Sequence, residues 1–210
     1  MNWRIPVVLF STVLFLMLTG FVFWQQDWQY SLPAVRPAGW RQPAVGERIL
    51  LPLAGLTLDK SRPLFLHFFN PDCPCSRFNL DHVRQLIRRH RGDVRFIAVL
   101  QGEGGSALLR AKFEKLNLGV ESVADETGAW AEAAGVYATP QAVVIDRNER
   151  LYFRGNYNIS RYCVVPGTEY ARIALESILA GLPAKPEDPG AAISYGCPRS
   201  KIAKGAKQPA

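Results

Sequence analysis

The stretch "FLHFFNPDCPCSRFNLDHV", residues 65–83, constrains the fold of this chain more than any other part of its sequence. The apolar, aromatic-rich run at its start is typical of a strand that is buried on both faces of a sheet. Apolar residues then recur at helical spacing from Leu80 to Ile87, and Gly92 ends the helix that they predict. The segment therefore predicts a strand followed by a helix, with the thiols of Cys73 and Cys75 at the junction.

Strands and helices continue to alternate after this segment. The predicted order is β-α-β-α-β-α-β-β-α, and a short turn joins the last two strands, Gln141–Ile145 and Leu151–Arg154, into an antiparallel hairpin. Strands that are connected by helices form parallel pairs with right-handed crossovers. We therefore expect an α/β domain over residues 46–182, with a mixed central sheet that is flanked by helices.

The N-terminal part of the chain has the features of a membrane anchor. Residues 5–24 carry no charge and are long enough to cross a bilayer as one transmembrane helix. Arg4 lies before them, which places the short N-terminus, residues 1–4, in the cytoplasm. A cleaved signal peptide is the alternative, but the apolar run is longer than a typical signal h-region. We predict a single-pass anchor in the inner (cytoplasmic) membrane, with the C-terminal domain on the periplasmic side.

Two segments without clear periodicity flank the predicted domain. Residues 25–45 are rich in Pro, Gln and Trp, which is typical of a linker. Residues 183–210 are rich in Pro, Gly and Lys, and they predict an extended tail. The net charge of +7 is spread along the chain, without a dense basic block before the tail, so we expect no nucleic-acid partner.

Three features together resemble the thioredoxin-like superfamily, particularly the membrane-anchored, exported redoxins of bacteria. They are the strand that runs into cysteines, "FLHFFNPDCPC", the Thr-Pro step in "GVYATPQAVVID", and the hairpin "RNERLYFRG". The resemblance covers residues 46–182 and implies a thioredoxin-like fold with a cis Pro140 beside the active cysteine. It assigns the nucleophile to Cys73. The family motif is Cys-x-x-Cys, whereas this chain has Cys-x-Cys, so the resemblance leaves the role of Cys75 open.

The resemblance also implies a site for peptides. A cis Pro140 leaves the backbone beside Thr139 free to pair with an incoming peptide, and we therefore expect Thr139 and Pro140 to bind substrate. The alternative for this step is an ordinary trans turn. The expected partners are exported proteins with thiols or disulfides, together with a redox partner whose identity the sequence does not reveal.

The chain has four cysteines, and export would place them in an oxidising compartment. Cys73 and Cys75 lie at the start of a helix, where the thiolate form is favoured. A Cys73–Cys75 disulfide would close a small, readily reduced ring. Alternatively, Cys197 resolves a mixed disulfide of Cys73 from the tail, or it pairs with Cys163 as a structural disulfide.

Three classes of function are compatible with these residues. The first is a thiol-disulfide oxidoreductase that needs no bound cofactor, with Cys73 and Cys75 as catalytic residues. The second is a Cu(I)-binding or copper-delivery protein in which Cys73, Cys75 and Cys197 supply soft thiolate ligands. The third is a thioredoxin-fold binding module with structural cysteines. We favour the first, and we expect His67 to be an interior residue and His82 and His90 to be solvated.

Overall fold

The computed structural model describes residues 3–28, 32–53, 59–160, 162–186 and 188–198. The chain divides into one unit that ends at Leu32 and a second unit that begins at Pro33. The end of the predicted tail, residues 199–210, and the first two residues of the predicted cytoplasmic N-terminus lie outside the described residues.

The first unit is the apolar N-terminal helix. Helix α1 spans Arg4–Phe23, and one π-helical segment, Trp24–Trp28, continues it. Its described side chains are exposed throughout. In the described part of the chain, α1 is the helix long and apolar enough to cross a membrane, a criterion that a signal sequence near the N-terminus can also meet.

The second unit is built on a five-stranded mixed sheet with the order β3-β2-β1-β5-β6. Strand β1 is parallel to β2 and antiparallel to β5, β2 is parallel to β3, and β5 is antiparallel to β6. A separate two-stranded sheet pairs β4 with β7. The strands are β1 (Leu64–Phe69), β2 (Arg95–Leu100), β3 (Glu121–Ala124), β4 (Ala138–Thr139), β5 (Gln141–Ile145), β6 (Leu151–Gly155) and β7 (Cys197–Pro198).

Helices cover both faces of the five-stranded sheet. In chain order they are α2 (Pro74–Phe78), α3 (Leu80–His90), α4 (Gly105–Glu114), α5 (Ala129–Ala134), α6 (Tyr170–Leu179) and α7 (Pro189–Ala192). Every residue of β1 is buried, and because side chains alternate along a strand, they contribute to two separate cores. Phe65 and Phe69 belong to the core that α3, α4 and α6 cover, and Leu66 and Phe68 belong to the core under α5.

The expected fold class is confirmed: the domain is a thioredoxin-like α/β fold with a mixed central sheet. The alternation of strands and helices agrees with the sequence, and the hairpin of β5 and β6 lies where it was predicted. The Thr139–Pro140 peptide bond is cis, as the resemblance implies.

The segments that flank the domain are packed on it to a greater extent than the sequence indicates. Within the predicted linker, the N–H of Ala34 donates to the carbonyl of Ser194 over 2.7 Å, and the Arg154 guanidinium donates to the carbonyl of Pro43 over 2.8 Å. Within the predicted tail, the N–H of Asn156 donates to Ala191 over 2.9 Å. The two flanking segments therefore contact each other and the residues at the end of β6.

Two histidines lie elsewhere than the sequence predicts. His82 and His90 are buried in α3, so the expectation that they are solvated is wrong. His90 follows Val83 and Ile87 on the apolar side of the helix, and the His82 ring packs edge-on against the Tyr157 ring at 5.9 Å. Burial lowers the pKa of both imidazoles.

Candidate active site at Cys73, Cys197 and Pro140

Cys73 lies at the junction between β1 and the helices that follow it. It is the N-cap residue of α2, with extended backbone angles of φ −84° and ψ 122°, and Pro74 occupies the first helical turn. Proline suits that position because its missing N–H would have no partner inside the helix. The N–H of Cys73 donates to the carbonyl of Asn70 over 3.1 Å, which holds the turn between strand and helix.

Cys73 forms a disulfide with Cys197. The two residues are 124 positions apart in the chain, and their Cα atoms are 6.0 Å apart. Cys75 and Cys163 are free thiols. A Cys73–Cys75 disulfide and a structural Cys163–Cys197 disulfide are therefore both excluded in this structure, and the remaining alternative, in which the tail cysteine reaches Cys73, agrees with it.

The cis proline lies beside this disulfide. The sulfur of Cys73 is 3.6 Å from the carbonyl oxygen of Thr139, the residue that precedes Pro140. Cys73 and Thr139 are 2% and 1% exposed, so the described chain almost completely covers this contact. The structure thus brings together four of the residues that the sequence singles out, Cys73, Thr139, Pro140 and Cys197.

The tail reaches Cys73 as a strand. Strand β7 is antiparallel to β4, with Cys197 opposite Thr139 and Pro198 opposite Ala138. Two buried amides fix the segment just before β7: Gln141 donates to the hydroxyl of Ser194, and Asn156 donates to the carbonyl of Ile193. These contacts were not predicted from the sequence, although the polar run "GNYN", which begins at the last residue of β6, was a signal.

The free thiols line a small cavity beside the cis proline. This cavity, of about 20 Å³, is bounded by Cys75, Cys163, Pro140 and Tyr157 among others. Burial raises the pKa of the Cys75 thiol to about 11. Burial, followed by repulsion from the Glu169 carboxylate, raises the pKa of the Cys163 thiol to about 12. Both sulfurs are therefore protonated at neutral pH and are poor nucleophiles.

A buried His-Tyr pair packs next to this cavity. The Nδ1 atom of His67 lies 2.6 Å from the Tyr157 hydroxyl, and both side chains are buried. Burial lowers the pKa of His67 to about 3 and raises the pKa of Tyr157 well above its usual value. His67 is therefore neutral near pH 7, as expected for an interior residue. Tyr157 was not predicted from the sequence to lie near the site.

The charge of Asp72, next to the disulfide, is paired. The Lys112 ammonium donates to both carboxylate oxygens of Asp72, over 2.7 and 2.8 Å. An unpaired carboxylate beside Cys73 would disfavour its thiolate by like-charge repulsion. The ion pair reduces that repulsion, although both groups are partly exposed and solvent screens them.

The three cysteines of the copper alternative are not equivalent in this structure. Cys73 and Cys197 are joined in a disulfide and Cys75 is a buried thiol. Across the described residues, no group of three or more His, Cys, Asp or Glu side chains is arranged to hold a metal ion. A thiolate site for Cu(I) would first require reduction of the disulfide.

We expect the variant Cys75→Ala to retain the Cys73–Cys197 disulfide. The equilibrium constant between this disulfide and glutathione should stay within about twofold of the wild-type value, because Cys75 is neither bonded to Cys73 nor ionised. Disulfide mapping by mass spectrometry, in buffers of graded glutathione ratio, measures this. A loss of the couple, or a tenfold shift of its equilibrium, would assign the resolving role to Cys75.

Comparison with known proteins gives a family and a fold. Residues 48–197 match the model of a domain of unknown function, DUF6436. No curated protein matches the chain. A hypothetical protein from Sinorhizobium meliloti 1021, SMc02350, has a TM-score of 0.59 and 21% identity, covering 76% of this chain and 95% of its own. An uncharacterized conserved protein from Geobacillus kaustophilus has a TM-score of 0.59 and 22% identity, covering 80% and 96%.

A secreted disulfide oxidoreductase from Mycobacterium tuberculosis is more distant, with a TM-score of 0.44, 17% identity, and coverage of 74% of this chain and 99% of its own. The Sinorhizobium and Geobacillus structures, at 21% and 22% identity, share the fold of this chain and carry no information on its activity. The DUF6436 match is more specific because it spans the whole sheet, the cis proline and all four cysteines. The chain therefore belongs to the DUF6436 family, which is defined by a domain of unknown function.

Proposed function

We propose that this protein is a thiol-disulfide oxidoreductase in which Cys73 and Cys197 are the exchanging couple. The observation that carries this proposal is the Cys73–Cys197 disulfide, whose Cys73 sulfur lies 3.6 Å from the carbonyl that precedes the cis proline. Cys197 belongs to the two-stranded sheet, separate from the five-stranded one. The bond can therefore open and close while the main sheet stays intact.

The reaction follows from the chemistry of the couple. In the reduced protein, the Cys73 thiolate attacks one sulfur of a substrate disulfide; a mixed disulfide forms, and the other substrate sulfur leaves as a thiolate. The Cys197 thiolate then attacks the Cys73 sulfur, which releases the second substrate thiol and forms the Cys73–Cys197 bond. An external dithiol reduces that bond to complete the cycle. In the reverse direction, the same steps oxidise two substrate thiols.

The two sulfurs of the couple differ in their surroundings. Cys73 caps α2, where the backbone N–H groups that follow Pro74 favour a thiolate. Cys197 is half-buried and lies on the tail, so it can leave Cys73 and return. These differences support Cys73 as the nucleophile toward substrate and Cys197 as the resolving cysteine, while Thr139 and Pro140 form the peptide-binding edge.

The N-terminal helix supports a membrane-anchored form of this enzyme. Helix α1 is apolar and exposed along its described length, and a bilayer would cover such a surface. We place the catalytic domain on the extracytoplasmic side, where disulfides persist. Its partners are then exported proteins with thiols or disulfides, and a membrane or extracytoplasmic protein that exchanges electrons with Cys197.

A redox titration of the full chain in detergent micelles tests the proposed function. We expect a dithiol couple with a potential between about −300 and −100 mV, the range of exchange catalysts. The variant Cys73→Ser should lack the couple, because one of its two sulfurs is removed. The variant Cys163→Ala should keep it, because Cys163 is free. The proposal is wrong if wild-type Cys73 stays unpaired across this range, or if Cys73→Ser still titrates as a dithiol.

A further inference from the structure

The chain's own tail occupies the edge of β4. Cys197 lies opposite Thr139 in an antiparallel pair, next to the cis proline. Addition of an extended segment to a strand edge is a recurring mode of peptide recognition, in which the main chain supplies affinity and the side-chain positions supply specificity. The residues around Cys197 therefore describe what this edge accepts.

The position before Cys197 accepts only glycine in this arrangement. A Cβ atom on Gly196 would lie 2.3 Å from the carbonyl oxygen of Thr139 and 3.1 Å from its carbonyl carbon. Both atoms belong to the backbone, which cannot move aside as the end of a flexible side chain can. Gly196 also has φ of +118°, a conformation that L side chains rarely adopt.

The position three residues before Cys197 is a closed polar pocket. Ser194 is fully buried, and its hydroxyl accepts a hydrogen bond from the amide of Gln141, which is 1% exposed. The carbonyl of Ser194 accepts a hydrogen bond from the N–H of Ala34. A side chain larger than serine would lack space there, and a purely apolar one would leave the buried amide of Gln141 without this partner.

A partner peptide cannot reach Cys73 while the tail is bound. Cys73 is 2% exposed, and Cys197 fills the place opposite Thr139. Two segments cannot pair with the same edge at once. A partner therefore binds after the tail has left, and it has to satisfy the same contacts as the tail.

We propose that the tail is an intramolecular copy of the peptide that this site recognises, so that the preferred protein partners present an extended Ser-x-Gly-Cys segment whose cysteine exchanges with Cys73. This inference rests on the proposed function and adds a substrate class to it. Glycine directly before the cysteine is the selective feature, and the tail competes with the partner for β4.

The test uses the full chain in detergent micelles with the substitution Cys197→Ser, which leaves Cys73 unpaired. Two blocked pentapeptides are compared, Ser-Tyr-Gly-Cys-Pro and Ser-Tyr-Ala-Cys-Pro, each as a mixed disulfide with thionitrobenzoate. The Cys73 thiolate attacks the peptide sulfur, the Cys73–peptide bond forms, and the coloured thionitrobenzoate anion leaves. The corresponding glutathione disulfide measures the intrinsic reactivity of Cys73.

We expect the glycine peptide to react at least about tenfold faster than the alanine peptide, because the alanine Cβ prevents pairing with Thr139. Equal rates for the two peptides would overturn this inference and leave the proposed function standing. The proposed function itself fails if none of the three thionitrobenzoate disulfides releases more thionitrobenzoate with Cys197→Ser than with a Cys73→Ser, Cys197→Ser double variant.

A second measurement keeps both cysteines of the couple and does not depend on the stability of Cys197→Ser. In the full chain with Gly196→Ala, the equilibrium constant for reduction of the Cys73–Cys197 disulfide by glutathione should rise at least about tenfold, since the tail can no longer pair with β4. Gly92→Ala is the matched control, because nothing lies within 4 Å of the added Cβ. A wild-type equilibrium for Gly196→Ala would overturn the inference.

Discussion

Reduction of the Cys73–Cys197 disulfide is expected to lower the free energy of unfolding of the full chain by about 3 kcal/mol. The bond links residues 124 positions apart, and the loss of chain entropy in an unfolded loop of this length sets a ceiling of about 5 kcal/mol. The effect stays below that ceiling because the tail also gains freedom in the folded state when the bond opens. Urea unfolding in detergent, followed by tryptophan fluorescence with and without a phosphine reductant, measures the difference.

Two variants separate this bond from the other sulfurs. Cys197→Ser should unfold at the same urea concentration as the reduced wild type, and it should not respond to reductant. Cys163→Ala should respond to reductant as the wild type does, because Cys163 is free. Equal urea midpoints for the oxidised and reduced wild type would contradict the presence of this disulfide in solution.

Acidification is expected to destabilise the domain because it contains buried, neutral histidines. Burial lowers the pKa of His67 to about 3, whereas the pKa in the unfolded chain is about 6.5. As the pH falls below 6.5, the unfolded state takes up a proton that the folded state excludes, so stability is lost between about pH 6.5 and pH 3. Between pH 7 and pH 5, His67 alone should cost about 2 kcal/mol. The lowered pKa values of His82 and His90 act in the same direction.

The variant His67→Phe isolates this contribution. It keeps a ring in the core but cannot take up a proton, so its free energy of unfolding should change with pH less steeply than that of the wild type, by about 2 kcal/mol between pH 7 and pH 5. Loss of the contact with the Tyr157 hydroxyl lowers its stability by a similar amount at every pH in this range. Urea unfolding at pH 7, 6 and 5 measures both effects. Parallel curves for the two proteins would show that His67 does not titrate as a buried group.

Local sequence was sufficient for the elements that build the domain. The β1 run is apolar at every position except His67, and the structure buries all of it. The turn between β5 and β6 contains Asp146, whose carboxylate accepts hydrogen bonds from the N–H groups of Asn148 and Arg150, each over 2.8 Å. Strand periodicity and turn chemistry depend on near neighbours, so a sequence pattern can reveal them.

The partner of Cys73 could not be obtained in the same way. Spacing along the chain drew attention to Cys75, two residues away, whereas the structure bonds Cys73 to a residue in the tail. Similarly, helix periodicity did not reveal that His82 would pack against Tyr157, on a segment that follows β6. These contacts join residues far apart in sequence, and they depend on how the elements pack together.

The sequence by itself determined that a cysteine would lie between a buried strand and a helix and that a Thr-Pro step would precede another strand, because both features are encoded by adjacent residues. The tertiary structure alone decided which sulfur meets Cys73 and what covers the edge beside Pro140. Four cysteines allow several pairings of similar local chemistry, and the choice among them depends on which Cα atoms the fold brings to within bonding distance, here 6.0 Å. The contacts of Ser194, Gly196 and Thr139 bring Cys197 to that distance.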